Sequence, residues 1–465
     1  MSAKRATRIG DLTAYDCLAL FKSRDLSPVE VIDDCLHRID EANREFNAFC
    51  FIGFEQAKAR ARLSEGRWMR GEPIGLIDGV PVTLKDVTLC RGMPTRFGSK
   101  ATSEDGQLDA DSATAAQLRD AGAVILGKTT TSEFGCKGVT DNLLDGITRN
   151  PWNPDFTPGG SSGGAAVAAA LNLGFLHQGS DSGGSIRMPA SFTGTFGLKP
   201  TLGYVPQWPP SAFTTLSHIG PITRTVADAA LMMKVLGQRD VRDGYAGPAY
   251  PFGDLPLAST LKGLKVAYSR NFGYVDVANE ILNVTDIAVQ RMEALGADIV
   301  EKDPGFDDPS EVASMLFLAG CGRIFSRLSR EQRGLVSPVF LQYAEKGLTV
   351  TLSQYQEAQE ARARLTATMA AFHEEFDLLV SPTTPVAPFP VELNQVPNRP
   401  HWVLTSPFNL TQQPAASLPC GLDRSGLPVG LQLVGARYKD MTVLSAAQVL
   451  ETAFGRFVPA RRALR

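Results

Sequence analysis

Two turns rich in glycine and serine, PGGSSGG at 158–164 and SDSGGSIR at 180–187, fall within thirty residues of each other on either side of an alanine-rich segment. A hydroxyl set among glycines is what acyl transfer needs, because small neighbours let a substrate carbonyl approach backbone N–H groups. Either turn alone reads as an ordinary loop, since glycine reaches positive φ and serine bonds its own backbone. As a pair they point to a serine hydrolase, and such an enzyme needs a base.

GGSSG (159–163) fits the G-x-S-x-G elbow, which calls for a histidine and an acid later in the chain. The later histidines are His177, His218, His373 and His401. His373 lies in a charged helical stretch and His401 follows a polar, Pro-rich loop, so each reads as a satisfied or exposed histidine. With five histidines and no H-E-x-x-H pattern, there is no metal site to propose. The remaining base is Lys85, which closes the apolar run VPVTLKD (80–86). Lysines are mostly exposed, but burial there would disfavour the ammonium. Moving its pKa from about 10.4 to about 7 takes about 4 kcal/mol of differential solvation, and a neutral lysine can serve as base for a serine. A further fit, GAVILGKT (122–129) to the phosphate loop G-x-x-x-x-G-K-[ST], fails on context. Its variable residues should form an irregular turn, and Ala123 to Leu126 are themselves the best strand candidate nearby.

The elements that must position these residues alternate between strand and helix. Apolar spacing of three and four predicts helices over 11–24 and 28–43, the second opened by a capping box at Ser27 and Glu30 with Pro28 in the first turn. Strands are expected at 79–86 and 123–127, with a helix at 112–121 between them, a buried small-residue helix at 165–172 and an amphipathic one at 226–236. The polar, Gly/Pro-rich stretch 237–256 is a linker or a long surface loop. Beyond it come strands at 265–269, 297–301, 377–385, 415–420 and 429–435, with helices at 279–295, through much of 311–376 and at 442–454. Such alternation implies an α/β sheet, one that crosses 237–256.

Composition narrows the function. A net charge of −3 and 20% charged residues give no electrostatic footprint for nucleic acid. The longest apolar run, 165–176, is too short to span a bilayer, and seven scattered cysteines without a C-x-x-C pair favour reduced thiols in the cytoplasm. The expected partner is a small molecule, with a homodimer left open.

Lys85, Ser161 and Ser185, in that order and 76 and 24 residues apart, resemble the Ser-Ser-Lys triad of the amidase signature family. The likeness extends through GKTTTSEFG (127–135), TRNPWNP (148–154), GLKPTLGYVP (197–206), GPITRTVADAA (220–230), SPTTP (381–385) and 407–435. It implies a single α/β/α domain, a large mixed sheet with helices on both faces, arranged as a helical layer to about residue 75, a core over about 76–236 and a C-terminal part of the same sheet over about 257–465. It implies Ser185 as nucleophile and Ser161, entered by a cis peptide from Gly160, as the proton relay to Lys85. The backbone N–H groups of Ser182, Gly183, Gly184 and Ser185 would form the oxyanion hole, with Ser162, Asp181 and Arg187 as supports and no metal or cofactor. Gly135 matches a wall of the acyl pocket. Cys136 and the Trp208–Phe213 loop are weaker candidates, and whether Cys136 or Cys321 faces the pocket stays open. Two departures from the family pattern are Ser182, where Thr or Gly is frequent, and Phe156, where a basic residue is frequent. The activity implied is hydrolysis of a linear amide. The alternative is the glutaminase component of a tRNA-dependent amidotransferase, whose EFAMG-like stretch reads EFGCKG (133–138) here. A catalytically dead binding protein is disfavoured by the intact triad.

Overall fold

The structure is a computed structural model that describes residues 8–103, 105–106, 108–247, 252–255, 259–393 and 400–459. Short runs of aliphatic, aromatic and β-branched residues form most of its strands because such side chains fill a pleated surface well. In chain order these are β1 (Phe49–Ile52), β2 (Pro81–Lys85), β3 (Val124–Thr129), β4 (Asp141–Asn142), β5 (Gly146–Ile147), β6 (Leu176–Asp181), β7 (Phe196–Lys199), β8 (His218–Thr223), β9 (Lys265–Tyr268), β10 (Asp298–Glu301), β11 (Leu378–Pro382), β12 (Ala415–Leu422) and β13 (Pro428–Gly435). Among the described residues β4 and β5 form a separate ribbon, and the other eleven make one mixed sheet in the order β1-β3-β2-β6-β8-β7-β12-β13-β11-β9-β10. Every residue of β2, β3, β7, β8, β11 and β13 is buried. Successive side chains point to opposite faces, so both faces are covered, as helices on either side require.

Several expectations hold at the level of the element. Ser27 and Glu30 close a capping box on helix Pro28–Phe46, with the Ser27 N–H 2.8 Å from Glu30 Oε2. Helices Ala113–Asp120, Gly163–Ala170 and Val226–Leu236 stand where apolar spacing puts them. No helix or strand forms over 237–247 or 252–255, and the rest of the Gly/Pro-rich stretch lies outside the described residues. The sheet crosses it, since β7 pairs antiparallel with β12. The run from Ala123 is a longer strand than its apolar part, because β3 continues through Gly127, Lys128 and Thr129. The phosphate-loop pattern is therefore inner sheet rather than a turn.

Parallel pairing sets the position of the site. β2 lies between β3 and β6, parallel to both, with Leu84 opposite Gln178. Lys85 and the turn after Asp181 therefore leave the sheet at the same edge, at the carboxyl ends of parallel strands, where α/β sheets bind ligands.

Candidate active site

Lys85 ends β2 with its side chain wholly buried. Its Nζ lies 2.7 Å from Ser161 Oγ and 3.0 Å from Ser180 Oγ. Burial pulls its pKa down to about 7, against the opposing influence of Asp181 and Cys136. Beside it, Lys128 is also wholly buried and donates to Thr88 O at 2.6 Å and Thr95 Oγ1 at 2.7 Å. Its Nζ is 3.7 Å from Asp86, which accepts the Arg96 and Gly98 N–H groups and so ties down the chain leaving β2.

The first serine turn runs into helix Gly163–Ala170. A Cβ on Gly160 would sit 2.5 Å from the Val139 backbone, so only glycine fits where the chain turns through the cis Gly160–Ser161 peptide. Thr140 Oγ1 donates to Gly159 O at 2.9 Å and accepts the Gly163 N–H at 3.0 Å, clamping the turn from outside. Ser162 joins this turn to the second: its Oγ donates to Ser180 O at 3.1 Å and accepts the Ser180 N–H at 3.3 Å, and its own N–H donates to Ser185 O at 3.2 Å.

The second turn is organised by a wholly buried ion pair. Asp181 Oδ1 accepts the Gly184 N–H at 2.6 Å and Arg187 Nη2 at 3.0 Å, while Oδ2 accepts the Ile186 N–H at 3.2 Å and Arg187 Nε at 3.0 Å. Burial alone would raise the carboxyl pKa, but Arg187 and the donated hydrogen bonds outweigh it and hold the group well below the ordinary carboxylate range. Arg187 also donates to Thr405 O, Gln432 Oε1 and Asn409 Oδ1 at 2.7 to 2.8 Å. Of the four N–H groups expected in the oxyanion hole, that of Gly184 is thus taken by Asp181. Those of Ser182, Gly183 and Ser185 have no partner among the described residues. A Cβ on Gly183 would meet nothing within 4 Å, which marks the open side of the turn, while Gly184, at φ +130°, backs onto Thr405.

Lys85, Ser161, Ser162, Asp181, Ser185 and Arg187 thus form one cluster, although among the described residues no hydrogen bond joins Ser161 Oγ to Ser185 Oγ. Gly135 also belongs to it, since a Cβ there would lie 3.4 Å from Ser161 Oγ. Cys136 is buried beside it, with its Sγ 3.6 Å from Cys321 Sγ, in an aromatic cluster that includes Phe134, Phe213 and Phe340. The 208–213 loop divides: Phe213 stacks on Phe317 at 4.8 Å in that cluster, whereas Trp208 faces Arg242. Among the described residues no histidine bonds either serine. His177 bonds Thr83 and His218 bonds Leu216 O, while His401 is buried between Phe192 and Phe389. Ser180, Thr405, Asn409 and Gln432 are the residues that sequence reasoning missed. Gln432 had a visible signal, a lone amide inside the apolar run VGLQLVG.

The amidase family profile matches residues 30–444. The chain belongs to the amidase family. It is 36% identical over 453 residues to an acylamidase of Rhodococcus erythropolis, covering 95% of both chains. It is 32% identical over 481 residues to a glutamyl-tRNA(Gln) amidotransferase component, the A subunit, of Alkaliphilus metalliredigens (strain QYMF), covering 97% of this chain and 98% of that one. Among solved structures, a bacterial aryl acylamidase of the amidase signature enzymes superposes with a TM-score of 0.89 at 30% identity, over 95% of this chain and 96% of that one.

The buried pair yields a stability prediction for this amidase-family chain. Arg187→Met leaves the Asp181 charge unpaired in the interior and should cost about 3 to 5 kcal/mol, read as a lowered urea midpoint. A loss under about 1 kcal/mol, the value of an exposed pair, would show that the pair does not organise the turn.

Proposed function

We propose that this protein hydrolyses a linear carboxylic amide to a carboxylate and ammonia or an amine through an acyl-enzyme on Ser185. The observation that carries the reading is the 2.7 Å contact between a wholly buried Lys85 and Ser161 Oγ, at the edge where the second serine turn presents its N–H groups. Neutral Lys85 takes the Ser161 hydroxyl proton while Ser161 takes that of Ser185. The freed Ser185 Oγ bonds to the amide carbon, and the carbonyl oxygen gathers negative charge against the N–H groups of Ser182, Gly183 and Ser185. Ser161 then protonates the leaving nitrogen, regaining its proton from Lys85, and the C–N bond breaks. Water adds to the ester by the same relay and releases the carboxylate. The step from Ser185 to Ser161 needs a contact that closes as substrate binds, as catalytic hydrogen bonds often do.

Phe134, Cys136, Phe213 and Phe317, gathered behind Gly135, support an apolar or aryl acyl group. The seven unpaired cysteines support a cytoplasmic setting. No helix among the described residues is long and apolar enough to cross a membrane. The likeness to the amidotransferase component keeps glutamine hydrolysis for a partner as the second reading. Purified alone and treated with chelator, the protein should release ammonia or amine from a panel of primary amides and anilides. Turnover only of glutamine, and only with a partner protein present, would favour the second reading.

Mutation separates the roles of the two serines. Ser185→Ala should abolish turnover, Ser161→Ala should leave a small residue of activity, and the double variant should be no worse than Ser185→Ala because groups acting as a unit are not additive. Acyl-enzyme detected by mass spectrometry in Ser185→Ala would refute the assignment of the nucleophile.

The sign of the pH dependence follows from burial. The Lys85 pKa is lowered to about 7, the lysine is a base only when neutral, and kcat/KM should therefore rise with pH through about 7 and level off above it. Lys85→Met keeps the packing and should lose several powers of ten in rate. A flat profile across that range, or near-normal turnover by the variant, would show that another group is the base.

A further inference from the structure

A second recess lies well away from the serines, in the N-terminal layer. It is a cleft of about 220 Å³ among whose lining residues are Arg60, Arg67, Arg91 and Arg119, with Met93 and Ile125 at its base. Arg60 and Arg67 are seven residues apart in helix Phe54–Arg70 and share its face. Arg91 comes from the chain after β2, and Arg119 from helix Ala113–Asp120. Three separate segments thus converge four guanidiniums on one cleft in a chain of net charge −3.

Internal pairing accounts for only part of this charge. Arg67 is bonded in a fork to the buried Asp78. Arg91 and Arg119 share Asp111, at 3.5 and 3.1 Å. Arg60 has no ion pair among the described residues, and no Asp or Glu among them lines the cleft. Four guanidiniums against the two carboxylates behind them leave two positive charges facing the opening. Like charges gathered this way repel one another, and an anion from solution relieves that repulsion. Guanidiniums also recognise paired oxygens by their fork geometry. Met93 and Ile125 are 5% and 6% exposed and supply an apolar base. The volume equals that of roughly seven waters, enough for a small organic molecule. Val82 lies opposite Ile125 and Lys85 opposite Thr129, so the cleft floor is set back about 10 to 13 Å along the strands from the catalytic edge.

We propose that this cleft is a second binding site, for a small organic dianion whose oxygens meet Arg60 and Arg91 and whose apolar part rests on Met93 and Ile125. Phosphate monoesters and aromatic dicarboxylates share this chemistry, and phenyl phosphate and phthalate represent the two sources.

Calorimetric titration of the full chain at low salt should show both probes binding with a Kd below about 1 mM, more weakly as salt is added. Inorganic phosphate, lacking the apolar part, should bind more weakly than phenyl phosphate. Arg60→Glu leaves every internal ion pair in place and should weaken binding about tenfold or more, as should Arg91→Glu, with amide turnover unchanged as the check on folding. Either order of the two probes supports the site and tells which source it prefers. Absence of binding by both probes, an affinity unchanged in Arg60→Glu, or inorganic phosphate binding as tightly as phenyl phosphate would overturn the proposal.

Discussion

A guanidinium shut away from water has to satisfy its N–H groups within the protein, and Arg187 meets that demand with Asp181, Thr405, Asn409 and Gln432. Those partners lie on the second serine turn, on the chain leading to β12 and on β13. Satisfying one side chain therefore fixes three segments relative to one another. With its carboxylate anchored in this way, Asp181 accepts the N–H groups of Gly184 and Ile186 and gives the turn its shape. The N–H groups of Ser182, Gly183 and Ser185, unbonded among the described residues, are the residue of that arrangement, preorganised because their neighbours are already bonded.

Desolvation acts in a second way one strand over. Burial lowers the proton affinity of both buried lysines, but among the described residues Lys85 has no carboxylate within ion-pair distance to offset it directly. Lys128, equally buried, has Asp86 at 3.7 Å together with two oxygen acceptors. The two lysines stand on adjacent strands and differ in what surrounds the nitrogen. That difference separates a lysine suited to proton transfer from one that holds the chain in place.

Much of this was legible in the residues. Apolar runs located β2, β3, β9, β11 and β13, and the capping signal at Ser27 placed the first residue of its helix, which runs three residues past the expected end at 43. Lys85 stood out because it ended an apolar run. The middle of the sheet was harder to read: β6 (LHQGSD) carries His177 and Gln178, whose polarity reads as turn until their buried partners are known. Thr83 meets the His177 ring, and Gln178 Oε1 accepts the Lys85 N–H and the Thr88 hydroxyl. The pairing of Arg187 with its anchors was out of reach for a related reason. The anchors are 218 to 245 residues away along the chain, and no local pattern encodes a contact of that span. The shape of the turn was readable as far as glycine and serine dictate it, but which of its N–H groups remains unbonded depends on where the Asp181 carboxylate points.

The same long span bears on how the molecule comes into being. Contacts between residues far apart in sequence are slow to form, because a large loop must be closed before they bring any gain. During synthesis from the N-terminus, both serine turns and Lys85 emerge long before Thr405, Asn409 and Gln432. Until those residues arrive, Asp181 and Arg187 lack the partners that make their burial tolerable. The hydroxyls and the lysine can be present in a nascent chain, but the rigid turn that aims the Ser182, Gly183 and Ser185 N–H groups requires the last strands to have docked. Catalytic competence in this fold is thus a late product of folding.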